Sequence, residues 1–250
     1  AATVRIGGTG SGSALIQRLV TDYRKTRPEV NFEVVTPTLG STGGLRALAL
    51  HRIDLAVLGR PPKPKEQRNT LVVTAWADTP LVLATSGGNK AKGFTAATLA
   101  GILRDGRGYW DDGARIHLVL RQPNEIDNAI LASLSPEVES ALGTALRNPA
   151  ATVADTDLDA IDLLVRTPGS LGTTTLGMMK ILGSPLMALP FNNVAPSLQN
   201  LRNGSYPLVK KLYLAHEQAL GGPAADFVAW LKSPTAAARL QELDHLALPR

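Results

Sequence analysis

The sequence predicts an α/β protein of two lobes, each a sheet flanked by helices, and three observations carry that prediction. Short apolar runs alternate along the chain with segments of helical periodicity. Glycine-rich turns stand at the junctions, where a strand hands over to a helix. One run, Asp54-Leu55-Ala56-Val57-Leu58, is apolar without alternation, as befits a strand buried on both faces of a parallel sheet. At 250 residues the chain is long enough for two domains of ordinary size.

Val4 to Ile6 is the first strand, broken by Gly7-Gly8-Thr9-Gly10-Ser11-Gly12-Ser13 before Leu15, Ile16, Leu19, Val20 and Tyr23 recur at helical spacing. Arg27-Pro28 ends that helix, and Val30 to Val35 alternates as a second strand. Leu39-Gly40-Ser41-Thr42-Gly43-Gly44 is a second glycine turn, with a helix expected from Leu45 to Leu50. The third strand ends at Gly59-Arg60-Pro61-Pro62. Loops 8–13, 39–44 and 59–62 each follow a strand, and in a parallel sheet the carboxyl ends lie along one edge, so the three are expected to face one cleft. The middle of the chain repeats the scheme. Strands are expected over Pro80 to Thr85 and Ile116 to Leu120, and helices over Thr95 to Leu103, Asn128 to Leu134, Pro136 to Arg147 and Leu158 to Val165. Leu212-Tyr213-Leu214 and a helix from Ala224 to Leu231, stopped by Ser233-Pro234, close the chain.

Composition narrows the function. The 44% hydrophobic and 19% charged content is that of a folded globular chain, and no stretch reaches the eighteen apolar residues of a membrane span. Cysteine is absent, which removes disulfides and thiolate chemistry. The chain opens on Ala1-Ala2-Thr3 without a basic and apolar leader, so a secretory signal is expected to have been removed. A net charge of +5 would suit nucleic acid, but the basic residues are scattered and aromatics make up 4%, so no nucleic-acid partner is expected. His51, His117, His216 and His245 lie far apart, and neither a metal site nor a cofactor is predicted.

Backbone N–H groups of a glycine turn at the positive end of a helix form a site for a small anion. The hydroxyls of Thr9, Ser11, Ser13, Ser41 and Thr42 could add donors, or could simply cap the helices. Gly7 and Gly12 have the separation of a phosphate loop, but Ser13 and Ala14 replace its lysine and hydroxyl, and Ser13 replaces the third glycine of the dinucleotide pattern. No histidine or lysine is placed to activate Ser11 or Ser13, so no catalytic residue is assigned and the chain is not expected to be an enzyme. Asp155, Asp157 and Asp159 are expected to serve a helix start through its dipole.

In order along the chain, Gly8 to Ser13, Gly40-Ser41-Thr42-Gly43-Gly44, Asp54 to Arg60, Pro168-Gly169-Ser170-Leu171-Gly172, Ala195-Pro196-Ser197, Asn203 to Leu208 and Phe227 to Pro234 resemble the phosphate-binding subunits of phosphate ABC transporters. The resemblance implies a type II periplasmic binding-protein fold with a two-strand hinge. Lobe I would be residues 1–80 plus 207–250, and lobe II residues 81–206. It further implies a monomeric extracytoplasmic protein, periplasmic or membrane-associated outside the cell. Such a protein binds a small oxyanion and presents it to the membrane permease of an ABC importer. The alternative is an orphan sensor or interaction subunit of the same fold, acting on a sensor protein and binding another small ligand such as an organic acid.

Carried over position by position, the resemblance implies ligand contacts from Thr9, Gly10 and Ser11 in the first loop and from Ser41, Thr42 and Gly43 in the second. Arg121 and Asn124 would face the ligand from the other lobe, with Arg60 a further cation. The departures are equally specific. Gly59 stands where the family has an aspartate or serine, and Glu125 and Asp127 stand where it has hydroxyl donors. Carboxylates there would repel an anion unless they turn away to cap the following helix. Orthophosphate is therefore expected to bind weakly.

Overall fold

The computed structural model describes residues 2–86 and 92–249. The chain runs β1 (Thr3–Gly8), α1 (Gly10–Tyr23), β2 (Asn31–Val34), α2 (Gly40–Ala49), β3 (Leu55–Leu58) and a single 3-10 turn at Pro64–Glu66. Next come β4 (Leu71–Thr85), α3 (Ala96–Asp105), β5 (His117–Arg121), α4 (Ile126–Ala132), α5 (Pro136–Leu146), β6 (Thr152–Ala154), α6 (Asp157–Arg166) and β7 (Ser170–Thr175). The remainder is α7 (Leu176–Leu182), β8 (Met187–Ala188), α8 (Leu198–Arg202), β9 (Val209–Glu217), α9 (Gly222–Leu231), α10 (Pro234–Glu242) and β10 (Leu246–Ala247). Two compact units result, Ala1–Asp78 with Lys211–Arg250, and Thr79–Lys210. β4 and β9 are the strands along which the chain passes from one unit to the other.

In the first unit β1 pairs in parallel with β2 on one side and β3 on the other, and β9 runs antiparallel to β3. Parallel neighbours require helical crossovers, and α1 and α2 supply them. All four residues of β3 are buried, which is why Leu55-Ala56-Val57-Leu58 shows no alternation. Tyr23, Phe32, Phe227 and Trp230 meet edge-on or stacked between α1, β2 and α9, with ring centroids 4.7–6.0 Å apart.

In the second unit the latter half of β4 pairs antiparallel with β7 and β8, and β7, β5 and β6 run parallel. Its helices start on side-chain caps that the sequence spells out: Thr95 for α3, Ser135 for α5, Thr156 with Asp159 for α6, Thr175 for α7 and Ser197 for α8. Leu99, Leu103, Leu120, Leu142 and Leu171 belong to one buried cluster between α3, α5 and the sheet.

Three elements differ from the expected pattern. The strand expected at Pro80 is the second half of a fifteen-residue strand whose first half, Leu71 to Thr79, was not anticipated. The glycine turns expected to precede helices are already helical, α1 beginning at Gly10 and α2 at Gly40. Packing overrides glycine's poor helix propensity there: a Cβ on Gly12 would lie 2.4 Å from Val57 Cγ1, and one on Gly44 would lie 3.1 Å from Gly8 Cα. Ser233-Pro234, expected as a stop, is also a start, since Ser233 caps α10 and Pro234 occupies its first turn.

Candidate functional site

The three loops that follow β1, β2 and β3 are tied to one another within the first unit. Thr9 N donates to Val57 O at 3.0 Å, joining the end of β1 to β3, and Leu39 N donates to Gly8 O at 3.1 Å, joining the start of α2 to β1. Gly59 N donates to Ser41 Oγ at 2.9 Å, joining the end of β3 to α2. The approach is possible because Gly8 has φ +137° and its hydrogen points at Val57 O, where a Cβ would sit at 2.0 Å. The amino-terminal turns of α1 and α2 are thereby brought to one corner.

Neither turn is capped. Thr9 and Leu39 occupy the cap positions without a side-chain cap hydrogen bond, and neither first turn contains an acidic residue. The positive ends of both helix dipoles are thus left without a capping side chain or a first-turn carboxylate. Thr9, Gly10 and Ser11 are buried, Ser41 and Gly43 are half-buried and Thr42 is exposed. Ser13, in the first turn of α1, is 3% exposed and its hydroxyl makes no hydrogen bond.

Arg60 is committed to the protein. Nη1 donates to Pro61 O at 3.0 Å and to Glu66 Oε1 at 2.8 Å, and Nη2 donates to Glu66 Oε2 at 3.1 Å and to Thr42 Oγ1 at 2.7 Å. All four Nη hydrogens are used. Glu66 also accepts from Lys63 N at 2.8 Å, and the hydrogen bonds from Arg60 hold its carboxyl below the ordinary glutamate range. Arg60 is therefore a brace between the 3-10 turn and Thr42, where sequence reasoning had given it to the ligand as a bare cation. Glu66 was missed, although a glutamate two residues beyond Pro64 is a recognisable start signal.

The second unit places Arg121 and Asn124 differently from each other. Asn124 is exposed in the turn before α4. Arg121 is 3% exposed and sits in a cluster of charges. Its Nη1 donates to Asp157 Oδ1 at 2.7 Å and Asp127 Oδ2 at 3.2 Å, while Nη2 lies 3.6 Å from Glu125 Oε2. Lys210, on β9 and 2% exposed at its side chain, reaches Asp127 Oδ1 at 2.9 Å and Asp157 Oδ1 at 3.0 Å. Thr173 Oγ1 donates to Asp127 Oδ2 at 2.8 Å. Two cations thus face three carboxylates. Burial opposes the charge on Arg121 and Lys210, but the carboxylates of Asp127 and Asp157 outweigh it and hold both pKa values above their ordinary ones. Burial pushes Glu125 up.

This corrects two expectations. Asp127 neither repels a ligand nor caps α4, because its carboxylate is taken by Arg121, Lys210 and Thr173. Asp157 is no ordinary helix-start acid: Asp159 closes the capping box with Thr156, whereas Asp157 is buried against Arg121 and Lys210. Lys210 itself was not singled out. Its only signal is a charged residue at an inward position of a strand whose neighbours Leu212 and Leu214 are buried. Among the described residues no group of His, Asp or Glu is disposed to hold a metal, and no helix is long and apolar enough to cross a membrane.

The sequence pattern of the PBP superfamily domain matches residues 1–235. The chain belongs to the PBP superfamily. This PBP-superfamily chain shares its fold with a protein from Clostridium perfringens assigned as a phosphate ABC transporter substrate-binding protein and solved with bound phosphate, at a TM-score of 0.82 and 16% identity over 99% of this chain and 100% of that one. An ABC-type phosphate transport receptor from Vibrio cholerae superposes at a TM-score of 0.68 and 21% identity, covering 97% and 99%. Reduced OxyR from N. meningitidis superposes at 0.63 and 14% identity, covering 98% and 99%, so the PBP fold alone does not name a ligand. No curated protein matches the chain. The PBP superfamily is one of binding proteins, and both units have its α/β construction.

Proposed function

We propose that this chain is an extracytoplasmic solute-binding protein that takes a small tetrahedral oxyanion and presents it to the membrane permease of an ABC importer. The observation that carries the reading is the pair of uncapped helix amino termini at one corner of the first unit, with Ser41 and Thr42 as hydroxyl donors beside them. Such a corner offers backbone N–H groups, two helix dipole ends and neutral donors, which is what an oxyanion requires. Thr9, Gly10, Ser11, Ser41, Thr42 and Gly43 form the proposed contact set, and Arg60 holds Thr42 in place. Likeness to proteins that carry phosphate for ABC transporters supports the same reading. Nothing at the corner provides a nucleophile with a base beside it, so the role is capture without bond making or breaking.

Native mass spectrometry of freshly purified protein, followed by titration calorimetry with inorganic oxyanions, tests it. A one-to-one complex is expected, and Ser41→Ala should weaken it by about tenfold through loss of one hydrogen bond to a charged partner. Absence of heat with every oxyanion in the panel would remove the reading.

A further inference from the structure

We infer that the outer face of α6 is a self-association surface, on which a second copy of this chain seats its own α6 antiparallel to the first, in place of the monomer that the family resemblance implies. Five large hydrophobic side chains are exposed among the described residues, and three of them, Leu158, Val165 and Leu182, lie together in the second unit. They are 37–46% exposed and border a groove of about 460 Å3 between α6 and the end of α7. Single exposed hydrophobics are ordinary, but a contiguous apolar patch with a polar rim marks an interaction site.

Helical spacing makes the face. At about 3.6 residues per turn, Leu158 and Val165 point the same way, while the buried Ala160, Ile161 and Leu164 take the inner side. Asp159, Asp162 and Arg166 follow one another at spacings of three and four and so form a row beside the apolar stripe. Arg166 Nη2 lies 2.8 Å from Asp162 Oδ2, and both side chains are exposed.

The order of residues along this face fits a copy of itself. α6 carries Leu158 and Asp159 near its start and Val165 and Arg166 at its end, so the pattern is centred between Ile161 and Asp162. In a twofold contact residue i meets j and j meets i. An antiparallel partner about an axis through that centre sets Leu158 of each copy on Val165 of the other, and Arg166 of each copy against Asp159 of the other. The two Asp162 side chains meet near the axis, each already paired with Arg166. The positive end of each helix dipole also comes beside the negative end of the other. A parallel partner has none of these matches, because it sets like residues at the same level. Ten residues of helix span about 15 Å, so the seam is small and the association weak.

Sedimentation equilibrium of the full chain, carried up to about 1 mM, should show monomer and dimer exchanging with a Kd on the order of 10–100 μM. Val165→Asp puts a charge into the apolar seam and should raise that Kd at least about tenfold. Mixing reads the ion pairs. Arg166→Glu leaves only acids at the paired positions and Asp159→Lys only bases, so each variant alone should dimerise more weakly than the parent. A one-to-one mixture of the two should dimerise again, because the altered charges are then complementary at both ends. Asp159→Lys also removes one bond of the α6 capping box, the one that Asp159 Oδ2 accepts from Thr156 N. Should α6 fray in that variant, Val165→Asp still decides. A parent that stays monomeric at every concentration overturns the inference, as does a dimer that Val165→Asp leaves intact. A mixture of folded variants that fails to pair overturns the antiparallel arrangement.

Discussion

His245 shows what burial does to a single ionisable group in this protein. It is 1% exposed, its Nδ1 pairs with Leu243 O at 2.8 Å, and burial holds its pKa at about 4 against an ordinary 6.5. The folded state therefore resists a proton that the unfolded state accepts. Its contribution to stability is whole above about pH 6.5, falls as the pH drops from 6.5 to 4, and changes no further below that. The gap corresponds to a loss on the order of 3 kcal/mol. Urea unfolding of His245→Phe should show a flatter pH dependence between 7 and 4.5 than the parent; an equal slope in both would place the effect elsewhere. Lys210 is the opposite case, a buried charge kept charged by its partners. Lys210→Met removes one of the two cations that face Asp127 and Asp157, and breaking a buried pair in this way costs about 3–5 kcal/mol. A urea midpoint within error of the parent's would mean that the cluster relaxes or hydrates freely.

At the scale of elements, the sequence was most legible where the chain obeys local rules. β3 announced itself by an unbroken apolar run, and α3, α5 and α6 by cap residues at the right offsets. It was least legible where packing overrides propensity. Five glycines at the start of α1 and α2 read as loop yet are helical, with Gly12 and Gly44 in close approach to Val57 and Gly8. Leu71 to Thr79 is only partly alternating, because the strand passes from half-buried to fully buried along its length. At the candidate site the glycine and hydroxyl positions could be read, but the side-chain bonds that commit Arg60 and Arg121 could not: they depend on Glu66, Asp127 and Asp157, and Asp157, like the Lys210 that shares both aspartates, is brought in from a distant part of the chain by tertiary packing. The element most exposed to a single change is β1. Gly8→Ala places a Cβ 2.0 Å from Val57 O at φ +137°, and neither the strand nor α1 can yield without losing the Thr9–Val57 bond. Destabilisation of several kcal/mol is expected, beyond the roughly 1 kcal/mol range of ordinary surface changes. Thermal unfolding of Gly8→Ala checks it, and a melting point unchanged from the parent would show that β1 and β3 are not held as close as described.

Across the whole molecule, two polar assemblies divide the work. The donors of the proposed oxyanion corner lie wholly in the first unit, and the charge cluster of Arg121, Asp127, Asp157 and Lys210 lies wholly in the second. If the corner carries the affinity and the cluster carries stability, their variants should separate the two properties. A ligand that binds only the folded state stabilises it by RT ln(1 + [L]/Kd), about 2.7 kcal/mol at a hundredfold excess over Kd. Sulfate, as a tetrahedral oxyanion, at such an excess should therefore raise the unfolding midpoint of the parent. Lys210→Met, starting from a lower midpoint, should show the same increment, because it leaves every donor at the corner in place. Thr42→Val, which keeps the shape and removes the hydroxyl, should start near the parent's midpoint and respond to the same sulfate concentration by a smaller increment. Differential scanning calorimetry of the three proteins with and without sulfate, with chloride matching the ionic strength, reads both quantities at once. A sulfate increment lost in Lys210→Met and retained in Thr42→Val would show that the anion is held by the second unit's charges, and would overturn the assignment of the corner.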